Sequence, residues 1–181
     1  MATFNAAKVE FGVGELAIAI YSGSSVTPPG TVIGGTQGAT VMYKPEFKHV
    51  EIDQVMSPIT SRMIGESCTL KVKCVESEMR QFAFGLNLNP DNAAQLLSTP
   101  GVQRRMQFGG QTSPTFVYLT LTTPKTEDTT KNFITKIYKA MCVSGLELNF
   151  QKKDERVFEL EFQGFPQSSS NNYVGEIIEQ L

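Results

Sequence analysis

Between residues 68 and 74 the chain alternates without a break. Cys68, Leu70, Val72 and Cys74 fall on one side, and Thr69, Lys71 and Lys73 on the other. A period of two marks a half-buried antiparallel strand. Such a strand needs a partner, and residues 47–75 read as two long strands joined by a turn that contains Pro58. The first of the two is less definite, because Val50, Ile52 and Gln54 oppose Glu51, Asp53 and Val55, and neither side is a clear core face. The middle of the stretch, Val55 to Gly65, carries Met56, Ile59, Met63 and Ile64 with nothing nearby in sequence to cover them. A long arm with bare apolar side chains and open strand edges is a liability in a monomer. It suits a chain covered by copies of itself, which predicts an assembly subunit rather than an enzyme.

At 181 residues the chain is large enough to bury a core without disulfides or metals. Sixteen Lys and Arg against 18 Asp and Glu leave a net charge of −2. That balance argues against tight nucleic-acid binding driven by charge, which needs a basic footprint. No apolar run approaches the roughly 20 residues of a membrane span, so membrane insertion is not expected. The first residues lack the basic-then-apolar order of a signal peptide, which predicts a soluble protein made in a cytoplasm. Cys68 and Cys74, six residues apart on one strand, would lie about 20 Å from each other. A disulfide needs Cα atoms within about 7 Å. Cys142 could meet one of them or a neighbouring copy, but all three read as core or interface thiols.

In chain order, residues 1–6 form a loose arm. Ala7–Phe11 and Leu16–Tyr21 make a first hairpin, and the glycine- and proline-rich stretch 22–38 is a loop. Thr40–Tyr43 is extended, with a break at Pro45. Ser77–Leu86 is the persuasive helix: Met79, Phe82, Ala83 and Leu86 sit at helical spacing, and Ser77 is placed to cap it. Residues 87–132 mix polar residues, glycine and proline around two strands, Val102–Phe108 and Thr115–Thr122. Arg104 shares a face there with Val102, Met106 and Phe108; it either meets an acid across an interface or reaches solvent at a strand end. Phe133–Cys142 is a further strand. Leu146–Gln151 and Arg156–Phe165 form a long hairpin about a turn at 152–155, with Phe158, Leu160 and Phe162 on one face. After a linker at 167–172, Tyr173, Val174, Ile177, Ile178 and Leu181 form a short apolar stripe. Two turns of helix are not stable alone in water, so this tail must dock, on its own domain or on another subunit.

Little here supports catalysis. The single histidine, His49, would have to serve any triad from a strand, and three scattered cysteines with one histidine do not make a zinc site. The acidic pairs Asp154–Glu155 and Glu159/Glu161 lie at a hairpin tip and on a strand face, and no cofactor is implied. With no Trp, a stacking platform for sugars or bases is not expected.

The order of elements resembles the tail tube (major tail) proteins of tailed bacteriophages. The similarity rests on Val50-Glu51-Ile52-Asp53-Gln54, Ser61-Arg62-Met63-Ile64-Gly65-Glu66, the helix at 77–86, the run Ser144–Glu155, and Phe158-Glu159-Leu160-Glu161-Phe162. It covers roughly residues 5–86 and 132–166. The resemblance implies a mainly β, β-sandwich or barrel-like tail-tube fold with one flanking α-helix and a long inter-subunit hairpin arm. Residues 1–166 would form one such domain, with 87–132 inserted loops and strands, and 167–181 a linker and docking tail. It implies a structural virion protein whose hexameric rings stack into a tube, the conduit for genome delivery. It further implies assembly in the host bacterial cytoplasm, tape-measure and tail-end partners, and double-stranded DNA in transient passage. The arm that reaches the adjacent ring would present Val55, Met56, Pro58, Ile59, Met63 and Ile64. Glu51 and Asp53 become candidates for the lumen, where they would repel phosphate. The tail candidates are Tyr173, Val174, Ile177, Ile178 and Leu181. Alternatives are a tube protein of a related injection machine, a tail adaptor ring or, in a different class, a ligand-binding β-sandwich.

Overall fold

The computed structural model describes residues 14–23, 30–33, 36–50, 60–75, 78–92, 96–99, 103–110, 112–148, 157–167 and 172–181. In chain order these form β1 (Glu15–Ile20), β2 (Thr31–Ile33), β3 (Thr36–Val50), β4 (Thr60–Cys74), α1 (Met79–Gly85), β5 (Leu96–Thr99), β6 (Gln103–Met106), β7 (Val117–Pro124), β8 (Asn132–Cys142), β9 (Phe158–Gly164) and β10 (Gly175–Glu179). The fold is mainly β, as the sequence led us to expect. Residues 7–13, the first strand and turn of the expected N-terminal hairpin, lie outside the described residues.

One antiparallel sheet runs in the order β2-β1-β7-β8-β9-β4-β3, and β5 and β6 form a separate ribbon. The sheet forks at β8. One edge of β8 carries β7 from Asn132 to Ala140. Its other edge is divided: Phe133–Ile137 pairs with β10, and Ala140–Cys142 pairs with β9. A bulge makes the fork compatible with one core. Leu119 faces Ile137 and Val117 faces Ala140, so β8 carries an extra residue in that step. Ile137 and Ala140 would otherwise point to opposite faces; here both are buried.

The inward faces of both branches contribute to a single core. Leu16, Ile18, Val117, Leu119 and Ile137 come from one branch, and Leu70, Val72, Phe158, Leu160 and Phe162 from the other. The alternation at 68–74 is therefore that of a half-buried strand, with Cys68, Leu70, Val72 and Cys74 inside. On the outside, Lys71 and Lys73 pair with Glu161 and Glu159 across the ladder, each at 3.0 Å. These exposed pairs fix register more than they stabilise. All three cysteines are free and buried.

Helix α1 closes one end of the core. Its buried residues are Gln81, Ala83, Phe84 and Gly85. Phe82 meets Phe158 edge-on at 5.3 Å. The expected Met79/Phe82/Ala83/Leu86 stripe is thus rotated: Met79 and Leu86 are only half-buried. The reason is close approach at Gly85, where an added Cβ would lie 2.9 Å from Leu160. In so short a helix, packing rather than periodicity chooses the buried side. Ser77 lies outside the described residues, and Glu78 precedes the helix without a side-chain cap. The helix stops at Asn87, whose φ is 55°, a conformation Asn tolerates. Its side chain then stands in for a neighbouring strand. Nδ2 donates to the Cys142 carbonyl at 2.7 Å, and Oδ1 accepts from the Cys142 N–H at 2.8 Å.

Four expectations need correction. Pro45 does not break the chain; it sits inside β3, paired with Glu66, because β3 is an edge strand, where a missing N–H is tolerated. The segment 145–148 is not a regular strand, and the described partners of β9 are β4 and β8; residues 149–156, the rest of the expected first strand and its turn, lie outside the described residues. The strand proposed for 102–108 is the four-residue β6, and its partner β5 lies in a stretch that gave no alternation. Arg104 is exposed on it. Finally, the tail is a strand, not two turns of helix: hydrogen bonds from an open edge of β8 outweigh a weak helical periodicity.

Candidate assembly surface

The arm is a ladder. β3 and β4, 15 residues each, pair from Thr36↔Cys74 to Val50↔Thr60. Near the core, β4 is sandwiched between β3 and β9, but β9 pairs only as far as Cys68↔Gly164. Beyond that point the hairpin leaves the domain. The inward face continues along it, first as Val41 and Leu70, then Tyr43 and Cys68, then Pro45 and Glu66. Between Glu46↔Gly65 and Phe47↔Met63, β4 gains an extra residue, Ile64. This bulge rephases the strands so that Met63 joins Phe47 on the inward face, followed by His49 and Ser61. Phe47, Met63 and Ile64 are 53%, 51% and 58% exposed. Of the apolar residues proposed from sequence for the arm, Met63 and Ile64 are exposed on this ladder. Val55, Met56, Pro58 and Ile59, with the lumen candidates Glu51 and Asp53, lie outside the described residues. Phe47 and Tyr43 complete the patch on β3. The sequence reading overlooked their part in it, because Pro45 divided the strand in two.

Polar groups on the same face pair across the ladder. The Tyr43 hydroxyl donates to Glu66 Oε2 at 2.7 Å, and this bond to a carboxylate raises the Tyr43 pKa above its ordinary value. His49 Nδ1 and Ser61 Oγ are 2.7 Å apart. They face each other in the ladder, which accounts for the contact. Both are exposed on the arm. Among the described residues no group of His, Cys, Asp and Glu is arranged to hold a metal ion. No helix among them is long and apolar enough to cross a membrane.

Among the described residues, β3 ends the sheet on one side and β2 on the other. β10 likewise has a partner only on β8 among the described residues.

The tail candidates separate by face. Val174 is buried, close against Gly164. Its carbonyl accepts from the Tyr138 N–H at 3.0 Å. At the far end Lys125 Nζ, nearly buried, donates to Glu179 Oε1 at 2.7 Å and to the Gln180 carbonyl at 2.9 Å. The tail is therefore held on its own domain. Tyr173, Ile177 and Leu181 remain largely exposed, and Ile178 is half-buried. In the middle, Lys136 donates to Glu176 at 2.8 Å. That bond holds the Glu176 carboxyl below its ordinary 4.5 and Lys136 above its ordinary 10.5. Burial, helped by Glu176, pushes Tyr138 up to about 12. A depressed carboxyl stabilises above its unfolded pKa and loses that contribution as pH falls through its folded pKa. NMR titration should place the Glu176 midpoint below 4.5, and Lys136→Met should move it upward; an unmoved midpoint would assign the shift to another cause.

No protein-family model matches the sequence, and no curated protein matches it. Solved structures do match in fold. A chain in the cryo-EM structure of the anti-feeding prophage baseplate, 6-fold symmetrised, superposes with a TM-score of 0.53 at 8% identity, over 99% of this chain and 98% of that one. Lower scores come from the virion of the native gene transfer agent particle (0.45, 11% identity, 99% and 100% covered). The tail of the empty gene transfer agent particle, with C6 symmetry, scores 0.46 at 13% identity with 92% and 96% covered. This chain therefore shares the fold of a baseplate chain from a six-fold particle.

Proposed function

We propose that this protein is a structural subunit of a phage-tail-type particle. In this reading it assembles with copies of itself into hexameric rings that stack into a tube, through which double-stranded DNA passes without specific binding. The observation that carries the reading is the arm: a two-stranded ladder that runs beyond the end of β9 with Phe47, Met63 and Ile64 exposed, beside a strand, β3, that has no second partner among the described residues. Single apolar side chains on a surface need no explanation, but a patch on an unpaired strand edge does. Two different edges, β2 and β3, favour a head-to-tail contact, which closes into a ring when its rotation allows. The shared fold with a chain of a six-fold baseplate supports the same class of assembly.

That likeness also favours a second reading, a single ring at the tail end of a related injection machine. Negative-stain electron microscopy of concentrated protein separates the two. Stacked rings or tubes are the expected result, and isolated rings favour the tail-end reading. A monodisperse monomer at high concentration overturns both and favours a ligand-binding β-sandwich.

A further inference from the structure

Strand β10 hangs on the sheet by one edge. It lies off the main strand path and pairs only with β8 among the described residues. Apolar burial holds it at one point: Val174 belongs to the core, whereas Tyr173, Ile177 and Leu181 are 64%, 75% and 93% exposed. Polar contacts hold the rest. Lys136 donates to Glu176 at 2.8 Å and Lys125 to Glu179 at 2.7 Å. Past the last pair, the Asn132 N–H donates to Gln180 Oε1, and the Gln180 N–H donates to the Asn132 carbonyl. The two lysine side chains are only 24% and 11% exposed, and among the described residues each has its only carboxylate partner on the tail. A covered ammonium is costly to leave unpaired. With the tail docked and its carboxylates neutral, both lysines would stand in that state, and an open tail returns them to water.

We propose that β10 is an electrostatic latch: removing the charges of Glu176 and Glu179 releases residues 173–181 from β8 as one unit while the rest of the sheet stays closed. An edge strand with one buried side chain lies at the low-stability end of a fold, where such opening is local. Release bares two features. One is the β8 edge from Phe133 to Ile137, a template for another strand. The other is Cys68. An added Cβ on Gly164 would meet both Val174 and Cys68, and both line the groove between the arm and β10. Acid reaches the latch through Glu176. Its carboxyl, held below 4.5 by the Lys136 bond, stabilises docking above its free pKa and loses that contribution as pH falls through its docked value. The groups around it do not titrate there: burial first of all raises Tyr138 and Tyr118, and the Glu176 bond raises Lys136. Glu66 and Tyr43 line the same groove but bond to each other on the arm. Glu179 faces Lys125, whose Nζ also stands 5.1 Å from the centre of the Phe133 ring.

The test is thiol labelling and amide exchange on the whole chain. At neutral pH, Glu176→Gln combined with Glu179→Gln should speed maleimide modification of Cys68 by about tenfold or more, the scale of one lost hydrogen bond to a charged group. Cys74 and Cys142, both buried away from the tail, should label as slowly as in the wild type. Amides at 174–180 should exchange faster by the same factor, with β9 still protected. A second variant opens the tail without touching a charge: a side chain at Gly175 would strike the Lys136 carbonyl, so Gly175→Val should label at Cys68 as fast as the double variant or faster. In the wild type, falling pH should strip protection from 174–180 before it strips β9. Cys68 labelling that is unchanged in the double variant overturns the latch. Equal acceleration at all three cysteines, or loss of protection in β9 together with β10, also overturns it, because the whole domain then opens at once. An unlabelled Cys68 in Gly175→Val overturns the claim that the tail covers that thiol.

Discussion

Replacing Phe47 and Met63 together with aspartate is expected to abolish particle formation while leaving the fold untouched. The two side chains oppose each other on the arm, and neither belongs to the core. Exposed substitutions of this kind change stability by about 0.5 kcal/mol or less. At an interface the same change removes two anchors, each worth about 2 kcal/mol or more, and adds carboxylates that must be buried without partners. Two such losses correspond to about a thousandfold in affinity for each contact, and the proposed ring stack would repeat the contact many times. Sedimentation velocity should show a monomer at concentrations where the wild-type protein forms particles, with the same thermal midpoint. Particles of wild-type form at the wild-type concentration would remove the arm from the assembly altogether.

The second large effect concerns the domain itself. Phe162→Ala is expected to destabilise by about 3–5 kcal/mol. Phe162 is fully buried where β9 joins both partners, opposite Leu70 on β4 and Cys142 on β8. Removing it empties the space at the junction of the two sheet branches, so neither branch can collapse into the hole without shifting the other. For a chain of this size, that corresponds to a fall in midpoint of about 6–20 °C. A loss under about 1 kcal/mol by denaturant titration would mean that the branches are not packed on a common core. This outcome separates from the first prediction, because it lowers stability before assembly is considered.

Where one face of a strand is buried and the other wet, the sequence was readable. Cys68–Cys74 and Phe158–Phe162 alternate cleanly because each has core on one side and a Lys–Glu ladder on the other. β8 was placed almost to the residue. The failures have separate causes. Pro45 looked like a break because an edge strand is defined by which neighbours it lacks, and no local pattern records that. The 146–165 hairpin and the C-terminal helix were both local pairings, and each lost to a distant partner: β4 for β9, and β8 for β10. On the tail, the spacing of Val174, Ile177, Ile178 and Leu181 fits a short helix as well as a strand, and only the open edge of β8 decides between them.

The arm showed the same division. Its greasiness was legible at Met63 and Ile64, since bare methionine and isoleucine beside a turn need no topology to look wrong. Phe47 was not singled out as part of it, because Pro45 was read as ending the strand before it; that Met63 shares its face depends on a bulge at Ile64 that only register reveals. The divided edge of β8, shared by β9 and β10, was out of reach altogether.

The additional residue at Ile64 has a mechanical consequence for anything built from this chain. A bulge bends its strand and tightens the local twist, so the outer half of the hairpin leaves at an angle that the inner half does not determine. Shortening the chain by that single residue would keep every pairing partner yet straighten the projection. In a stack of the kind proposed, successive layers would then meet with a different rotation and spacing, so one amino acid near the elbow would set the pitch.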